Sequence, residues 1–246
     1  MCGRYSLFVP PEELADRFGV DVSGHEPRYN AAPRQSLPVI TDAKPGTVRH
    51  VEWGLVPSWA DSRDRGGHIN ARAETLSETA SFRDAFRQED GDLAAGRCLV
   101  PADGFYEWVE VNGHKQPYRV TLADEEPFAM AGLWTQWRPP TTQTGLDSFA
   151  GSGDPDGETV VETFAIVTTE PNDLVADLHD RMAVVLPAEE ERRWLRESAE
   201  EIGDLLAPYP ADGMRAYPVS QAVNDPSNDS PDLVEAVGGE HPESGR

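Results

Sequence analysis

The chain of 246 residues is poor in lysine, in cysteine and in long apolar segments. Lys44 and Lys115 are its only lysines among 21 basic residues. Two cysteines, Cys2 and Cys98, are too few for a disulfide scaffold or a cysteine-based zinc site. No apolar run approaches the roughly 20 residues that a membrane-spanning helix needs, and no signal peptide opens the chain. We therefore expect a cytoplasmic protein with no membrane partner, no metal and no other cofactor.

Positive charge is also scarce, since 44 acidic residues leave a formal net charge of -23. This balance argues at first against nucleic acid, because proteins that bind phosphates usually carry a basic stripe. An acidic excess with so little lysine is, however, typical of adaptation to a salt-rich cytoplasm. At 1 M salt the Debye length is about 3 Å, so such charges hardly repel one another. The composition thus predicts a halophilic origin and says little about the fold.

Short apolar segments separated by turn residues recur along most of the chain. They predict strands at 37–40, 48–55, 98–101, 104–111, 116–122, 128–137 and 163–169. Helices are predicted at 10–18, 78–87, 172–178 and 188–198, and a turn or loop at 29–33. Hairpins dominate and strand–helix alternation is weak, so we expect an α+β class with a mostly antiparallel sheet and peripheral helices.

The domain organisation is expected to be simple. Residues 1–237 are predicted to form a single domain. Residues 139–158, rich in Thr, Gly, Ser, Asp and Pro, are predicted to be a loop insertion, because strands resume directly after them. Residues 238–246 are predicted to be a flexible acidic tail.

Cys2 is the first residue that suggests chemistry. Its small side chain allows removal of Met1, which would expose a free α-amine beside a thiol. Such an amine, with an ordinary pKa near 7.7, acts as a base or forms an imine, and a thiolate is a strong nucleophile. The pair can close on an aldehyde to give a five-membered thiazolidine. Taken alone, position two favours the simpler explanation of a chance cysteine at a frayed terminus.

Two other titratable residues, Glu107 and His179, are candidates for proton transfer because of their neighbours in the sequence. Glu107 lies in an aromatic run, where desolvation would raise its pKa towards the range used in general acid–base catalysis. Alternation along a strand would instead place it on the wet face. His179 lies between a predicted helix and an apolar run, flanked by Asp180 and Arg181. It suits a proton-transfer group, but a lone histidine is commonly a structural or surface residue.

Polar residues also follow the loop that ends at Gly67. In the run 70–75, Asn70 could orient an amine and Arg72 could bind a phosphate. The alternative is a helix start with Arg72 paired to Glu74 or to an aspartate. Nucleotide-binding glycine-rich loops, zinc-protease motifs and serine-hydrolase elbows do not occur in the sequence.

Taken together and in order, these segments resemble the SRAP family (SOS response-associated peptidases), the abasic-site processing proteins. The resemblance covers residues 2 to about 237. The matching runs are 1–5, 28–33, 53–59, 69–75, 97–108, 178–182 and 217–220. It implies an SRAP fold with a barrel-like core and a groove for single-stranded DNA.

The resemblance also implies roles for particular residues. Cys2, after Met1 removal, would cross-link to the ring-opened sugar aldehyde of an abasic site through a thiazolidine. Asn70 would hold the α-amine, Glu107 would transfer protons, and His179 would help to open the sugar and assist reversal. The residues expected to contact DNA are Arg4, Asn30, Trp59, Arg72, Thr168 and Arg181.

The implied activities are autocatalytic release of Met1, DNA cross-linking by a monomer, and strand cleavage as a lyase side reaction of the imine. Ala60 departs from the family pattern, where a second aromatic residue commonly follows Trp59. Two alternatives stay open. One is a cysteine peptidase acting on other proteins, and the other is a non-covalent single-stranded DNA binder that uses tryptophans and arginines.

Overall fold

The computed structural model describes residues 2–63, 67–89, 91–111, 113–139 and 160–238. Thirteen strands lie within these ranges: β1 Tyr5–Leu7, β2 Arg28–Ala31, β3 Ser36–Thr41, β4 Lys44–Trp53, β5 Asn70–Arg72, β6 Ala95–Ala102, β7 Gly104–Val111, β8 His114–Leu122, β9 Phe128–Trp137, β10 Val161–Thr169, β11 Met182–Ala183, β12 Val185–Leu186 and β13 Met214–Pro218. The same ranges contain four α-helices: α1 Pro11–Phe18, α2 Arg83–Arg87, α3 Asp173–Ala176 and α4 Glu191–Arg196. Short 3₁₀ helices occupy Ala73–Thr75, Ala188–Glu190, Gly203–Leu206, Ala211–Gly213, Gln221–Asn224 and Pro231–Val234.

Five strands close into a barrel. The order β10-β4-β3-β6-β9 returns to β10, because β9 pairs with both β6 and β10. All of these pairings are antiparallel except that of β10 with β4. The short strands β5 and β11 extend the barrel beside β10, and β12 extends it beside β9. The predicted α+β class with a mostly antiparallel sheet and a barrel-like core is confirmed.

A second sheet, in the order β13-β8-β7-β1-β2, is antiparallel throughout and packs against the barrel. Their shared core joins residues of both layers, such as Tyr5 and Phe105 from the sheet with Trp53 and Phe164 from the barrel. Cys2 lies in the same core with no exposed surface. The start of the chain is therefore built into the interface between the two sheets.

Residues 219–237, here called the clasp, return to the start of the chain. The buried Asn30 side chain donates hydrogen bonds to the carbonyls of Val223, Asp225 and Asn228 at 3.2, 3.0 and 2.8 Å. Arg4 Nη1 also donates to the Val223 carbonyl, at 2.8 Å. These contacts fix the entry to β1 against the clasp.

Most predicted strands are confirmed, but two local predictions are wrong, as is the alternative of a helix start at 70–75. Residues 29–33, predicted as a turn or loop, largely belong to β2, because pairing with β1 and the contacts of Asn30 outweigh the local turn signals. The helix predicted at 78–87 is α helical only over α2, with hydrogen-bonded turns before it. The run 70–75 begins as β5 rather than as a helix, since it pairs in parallel with β10.

The helix α1, predicted at 10–18, has characteristic residues at both ends. Pro11 begins it and Glu12 and Glu13 stand in its first turn, where carboxylates favour the positive end of the helix dipole. Gly19 ends it with φ of +63°, a left-handed conformation that glycine adopts without strain. The helices predicted at 172–178 and 188–198 are present but shorter, as α3 and α4.

The single domain over residues 1–237 stays a prediction. Residues 140–158 of the predicted insertion and 239–246 of the predicted tail lie outside the described residues. Within the described ranges, no helix has the length and hydropathy needed to cross a bilayer.

Candidate functional site

The site is assembled around Cys2. Strand pairing between β1 and β7 lets the Tyr106 amide donate to the Arg4 carbonyl at 2.9 Å. Cys2 Sγ lies 4.0 Å from the same carbonyl oxygen. Burial, with a further contribution from the charge of Glu107, holds the pKa of the Cys2 thiol well above its ordinary value. The thiol is therefore protonated at neutral pH and needs a base before it can attack as a thiolate.

Asn70 contacts the backbone of Cys2 from the barrel side. Its Nδ2 donates to the Cys2 carbonyl at 3.0 Å. Its Oδ1 is buried and accepts no hydrogen bond from any described residue. A buried acceptor of this kind is costly unless a donor reaches it. An amine at residue 2 would be such a donor, so this side chain is suited to orient the backbone of Cys2.

Glu107 on β7 is 1% exposed, so the alternative that places it on the wet face of a strand is wrong. Burial raises its pKa from 4.5 to about 7, and the negative charge of Asp180 adds to the rise. A carboxyl group with a pKa close to the working pH can both accept and donate a proton. Burial among apolar residues thus gives Glu107 the property that proton transfer requires.

His179 approaches from the segment after α3. Its Nδ1 lies 3.0 Å from the Arg181 amide, which donates to it, and 2.8 Å from Asp180 Oδ1. Burial lowers the pKa of the imidazole below 6.5 and outweighs the attraction of Asp180. The ring is therefore mostly neutral at pH 7. The Arg181 amide at Nδ1 favours the proton on Nε2, whereas the Asp180 carboxylate at the same nitrogen favours it on Nδ1.

The residues predicted to contact DNA fall into two groups. Trp59, whose side chain is 61% exposed, and Arg72 on β5 are accessible to a ligand. The other four contact the protein itself: Arg4 and Asn30 hold the clasp, Thr168 is buried, and Arg181 pairs with Glu74. The DNA contacts of all six stay predictions.

One residue at this site, Glu74, is not predicted from the sequence, where its spacing indicates only a pair with Arg72. Its carboxylate instead pairs with Arg181, from a segment more than 100 positions further along the chain. Local spacing offers no signal for such a pair. Across the described part of the chain, no group of three or more His, Cys, Asp or Glu side chains is arranged to hold a metal ion.

The burial of Glu107 has a consequence for stability that can be measured. Its pKa is about 7 in the folded chain and near 4.5 when unfolded, so the stability it contributes at low pH is lost as pH rises to 7 and above. The difference corresponds to about 3 kcal/mol. With Met1 removed from both proteins, Glu107→Gln should have the higher free energy of unfolding at high pH. We expect its difference from wild type to grow by about that amount between pH 4 and pH 8. Urea unfolding at both pH values measures it, and an advantage independent of pH would contradict it.

Comparisons with known proteins show which family the chain resembles over most of its length. A family model described as "SOS response associated peptidase (SRAP)" matches residues 1–226. The chain is 39% identical over 246 residues to "Abasic site processing protein YoqW" of Bacillus subtilis, covering 96% of this chain and 100% of that protein. It is 26% identical over 284 residues to "Abasic site processing protein HMCES" of Xenopus tropicalis, covering 96% and 78%. A crystal structure from Bacteroides thetaiotaomicron, 28% identical, matches with a TM-score of 0.77 over 96% of this chain and 100% of that chain.

Proposed function

The chain belongs to the SOS response associated peptidase (SRAP) family, and on that premise we propose that it captures abasic sites in single-stranded DNA through a covalent bond to Cys2. The observation that carries the proposal is a buried Cys2 whose carbonyl accepts a hydrogen bond from Asn70, and whose thiol feels the charge of Glu107, a carboxyl group with a pKa of about 7. Removal of Met1 makes residue 2 the N-terminus and frees its α-amine. The protein is proposed to act as a cytoplasmic monomer without a cofactor.

The reaction runs through two new bonds to the aldehyde carbon of the opened sugar. The α-amine adds to that carbon, and loss of one water gives an imine. The thiol sulfur then adds to the same carbon, while the thiol proton moves to the imine nitrogen, which closes the thiazolidine. The high pKa of the buried thiol favours this order, since the amine is the better nucleophile until a base removes the thiol proton.

Three side chains serve these steps in the proposal. Asn70 Oδ1 accepts a hydrogen bond from the amine and directs its lone pair at the aldehyde. Glu107 takes the proton that the amine or thiol loses and returns one to the departing water. The Nε2–H of His179 donates to the ring oxygen of the sugar as the aldehyde opens, and acts in the opposite direction during reversal. Arg4, Arg72 and Trp59 supply contacts to phosphates and a base in this scheme.

The covalent product is tested on a denaturing gel. Single-stranded DNA with one uracil, treated with uracil glycosylase, is mixed with the mature protein and then heated in detergent. We expect a slowly migrating protein–DNA band with the abasic strand and no band when borohydride has first reduced its aldehyde. A complex that dissociates fully would support the non-covalent binder instead. Cleavage of a casein substrate that needs Cys2, without any DNA adduct, would support the peptidase of other proteins.

We further propose that Met1 is released autocatalytically, with Glu107 as the base that activates the attacking water. A strand-cleaving lyase reaction at the imine stage belongs to the same proposal. Intact mass spectrometry of the purified protein tests the first step. Wild type is expected to lack Met1 and Glu107→Gln to retain it. Complete removal in both proteins would assign the step to an aminopeptidase of the host.

A further inference from the structure

Glu74 and Arg181 form an ion pair that the proposed chemistry does not use. Arg181 Nη1 and Nη2 lie 2.5 and 2.9 Å from the two carboxylate oxygens of Glu74. Such a bidentate pair fixes the orientation of both groups more strictly than a single contact does. The Arg181 side chain is 14% exposed and that of Glu74 is 53% exposed. The pair therefore joins a largely buried guanidinium to a carboxylate at the rim of the site.

The two residues belong to segments that carry two different functional groups. Glu74 lies in the 3₁₀ turn directly after β5, the strand that begins at Asn70. Arg181 stands two residues after His179, in the segment between α3 and β11. Their ion pair thus connects the segment that orients the Cys2 backbone to the segment that presents the imidazole.

Arg181 reaches the imidazole directly through its own backbone. Its amide donates to His179 Nδ1 at 3.0 Å, while its Nη2 donates to the Thr168 carbonyl on β10 at 2.7 Å. The amide keeps Nδ1 as an acceptor and leaves the ring proton on Nε2. Asp180 Oδ1, 2.8 Å from Nδ1, would favour the proton on Nδ1 instead. Which nitrogen carries the proton depends on where the Arg181 backbone is held.

We propose that Glu74 is a positioning residue, which through Arg181 holds the His179 ring in the orientation with its proton on Nε2. This inference rests on the proposed function, in which His179 protonates the sugar oxygen. Without the pair, the bond to Thr168 is the one that the guanidinium keeps among the described residues, and the backbone that faces Nδ1 is free to shift. A shift of about 1 Å in a reacting group is sufficient to cost up to a hundredfold in rate.

An isolated ion pair on a protein surface contributes little to stability. Whether this pair can hold other groups in place therefore depends on how far it is buried. The guanidinium is largely enclosed, and its other hydrogen bond is to a buried strand. Arg181 was expected to bind phosphate, but its bidentate face is already occupied by a carboxylate. Loss of Glu74 would free that face for a phosphate, so DNA affinity should not fall when the pair is broken.

The first test separates rate from binding. Glu74→Ala and Glu74→Gln are compared with Glu78→Ala, a matched control that removes an exposed carboxylate four residues away. At saturating abasic single-stranded DNA, we expect the first-order rate of adduct formation to fall about tenfold in Glu74→Ala and less in Glu74→Gln. The control should keep the wild-type rate, and the dissociation constant for reduced abasic DNA should not increase in any of the three.

A second test determines, without DNA, which nitrogen of the His179 imidazole carries the proton. Nitrogen-15 NMR at pH 7.5, with His179→Gln to assign the signal, distinguishes a protonated ring nitrogen from an unprotonated one. Wild type should show the proton on Nε2 of His179, and Glu74→Ala should show a mixture of both tautomers. An unchanged tautomer with an unchanged rate would overturn the inference, provided that wild type forms the adduct.

A third comparison asks whether Glu74 acts through Arg181. In an Arg181→Gln background, adding Glu74→Gln should lower the rate no further, because the pair is already lost. Independent, multiplying effects would overturn the positioning role. Failure of wild type to form any adduct would refute the proposed function itself, and the tautomer measurement would still decide whether Glu74 controls the ring.

Discussion

Cys2→Ser abolishes the heat-stable DNA adduct, the largest single effect expected in this protein. Serine keeps the α-amine and nearly the same volume, so the imine still forms, but the hydroxyl is a much weaker nucleophile than sulfur and closes no stable ring. Imines hydrolyse in denaturing conditions, and the band on the gel should therefore fall below detection. Non-covalent affinity for single-stranded DNA should stay within about threefold, since the arginines and Trp59 are unchanged.

The matched control is the other cysteine. Cys98 is buried on β6 in the barrel, and burial keeps the pKa of its thiol well above the ordinary value, so it is an inert residue. Cys98→Ala should form the adduct at the wild-type rate. An adduct of equal yield with Cys2→Ser, or its loss with Cys98→Ala in a folded protein, would contradict the assignment of the nucleophile. Borohydride trapping of Cys2→Ser should recover the imine as a stable amine.

Once added methionine aminopeptidase has removed Met1 from both proteins, so that both have a free Cys2 α-amine, Glu107→Gln is expected to slow adduct formation by about 10² to 10⁴. This is the usual contribution of a positioned acid–base group. Glutamine preserves the shape and hydrogen-bonding reach of the side chain but transfers no proton. The ratio of wild-type to variant rates should also rise with pH through about 7, because the carboxylate form is the base and its pKa lies there. Taking this ratio cancels the titration of the α-amine, which is common to both proteins.

Single-turnover rates between pH 5.5 and 8.5 measure the effect. Glu110→Gln is the control, since Glu110 lies exposed on the same strand and should leave the rate unchanged. A ratio that falls with rising pH would show that the protonated carboxyl acts, as an acid. A ratio near one at every pH would remove Glu107 from the mechanism altogether.

Most of the strands follow from local pattern, because period-two alternation and turn residues act over a few positions. The barrel-like core is implied only by the family resemblance. The chemical candidates Cys2, Asn70, Glu107 and His179 are recognisable from their ordered motifs. The burial of Glu107 does not follow from local pattern, because a strand has two faces. Only the packing of the sheet that contains β7 against the barrel decides which face is buried. The partner of Arg181 likewise depends on tertiary contacts that no spacing reports.

The contact between the clasp and the start of β1 can form only late in the synthesis of the chain. Arg4 donates to the carbonyl of Val223, 219 positions later in the chain. Ribosomes add about 5–20 residues per second, so roughly 10–45 s separate the synthesis of these two residues. During that interval β1 lacks the contact that fixes its entry, however early its own residues emerge. Cys2 therefore reaches its final position among the last steps of folding, although it is among the first residues to be made.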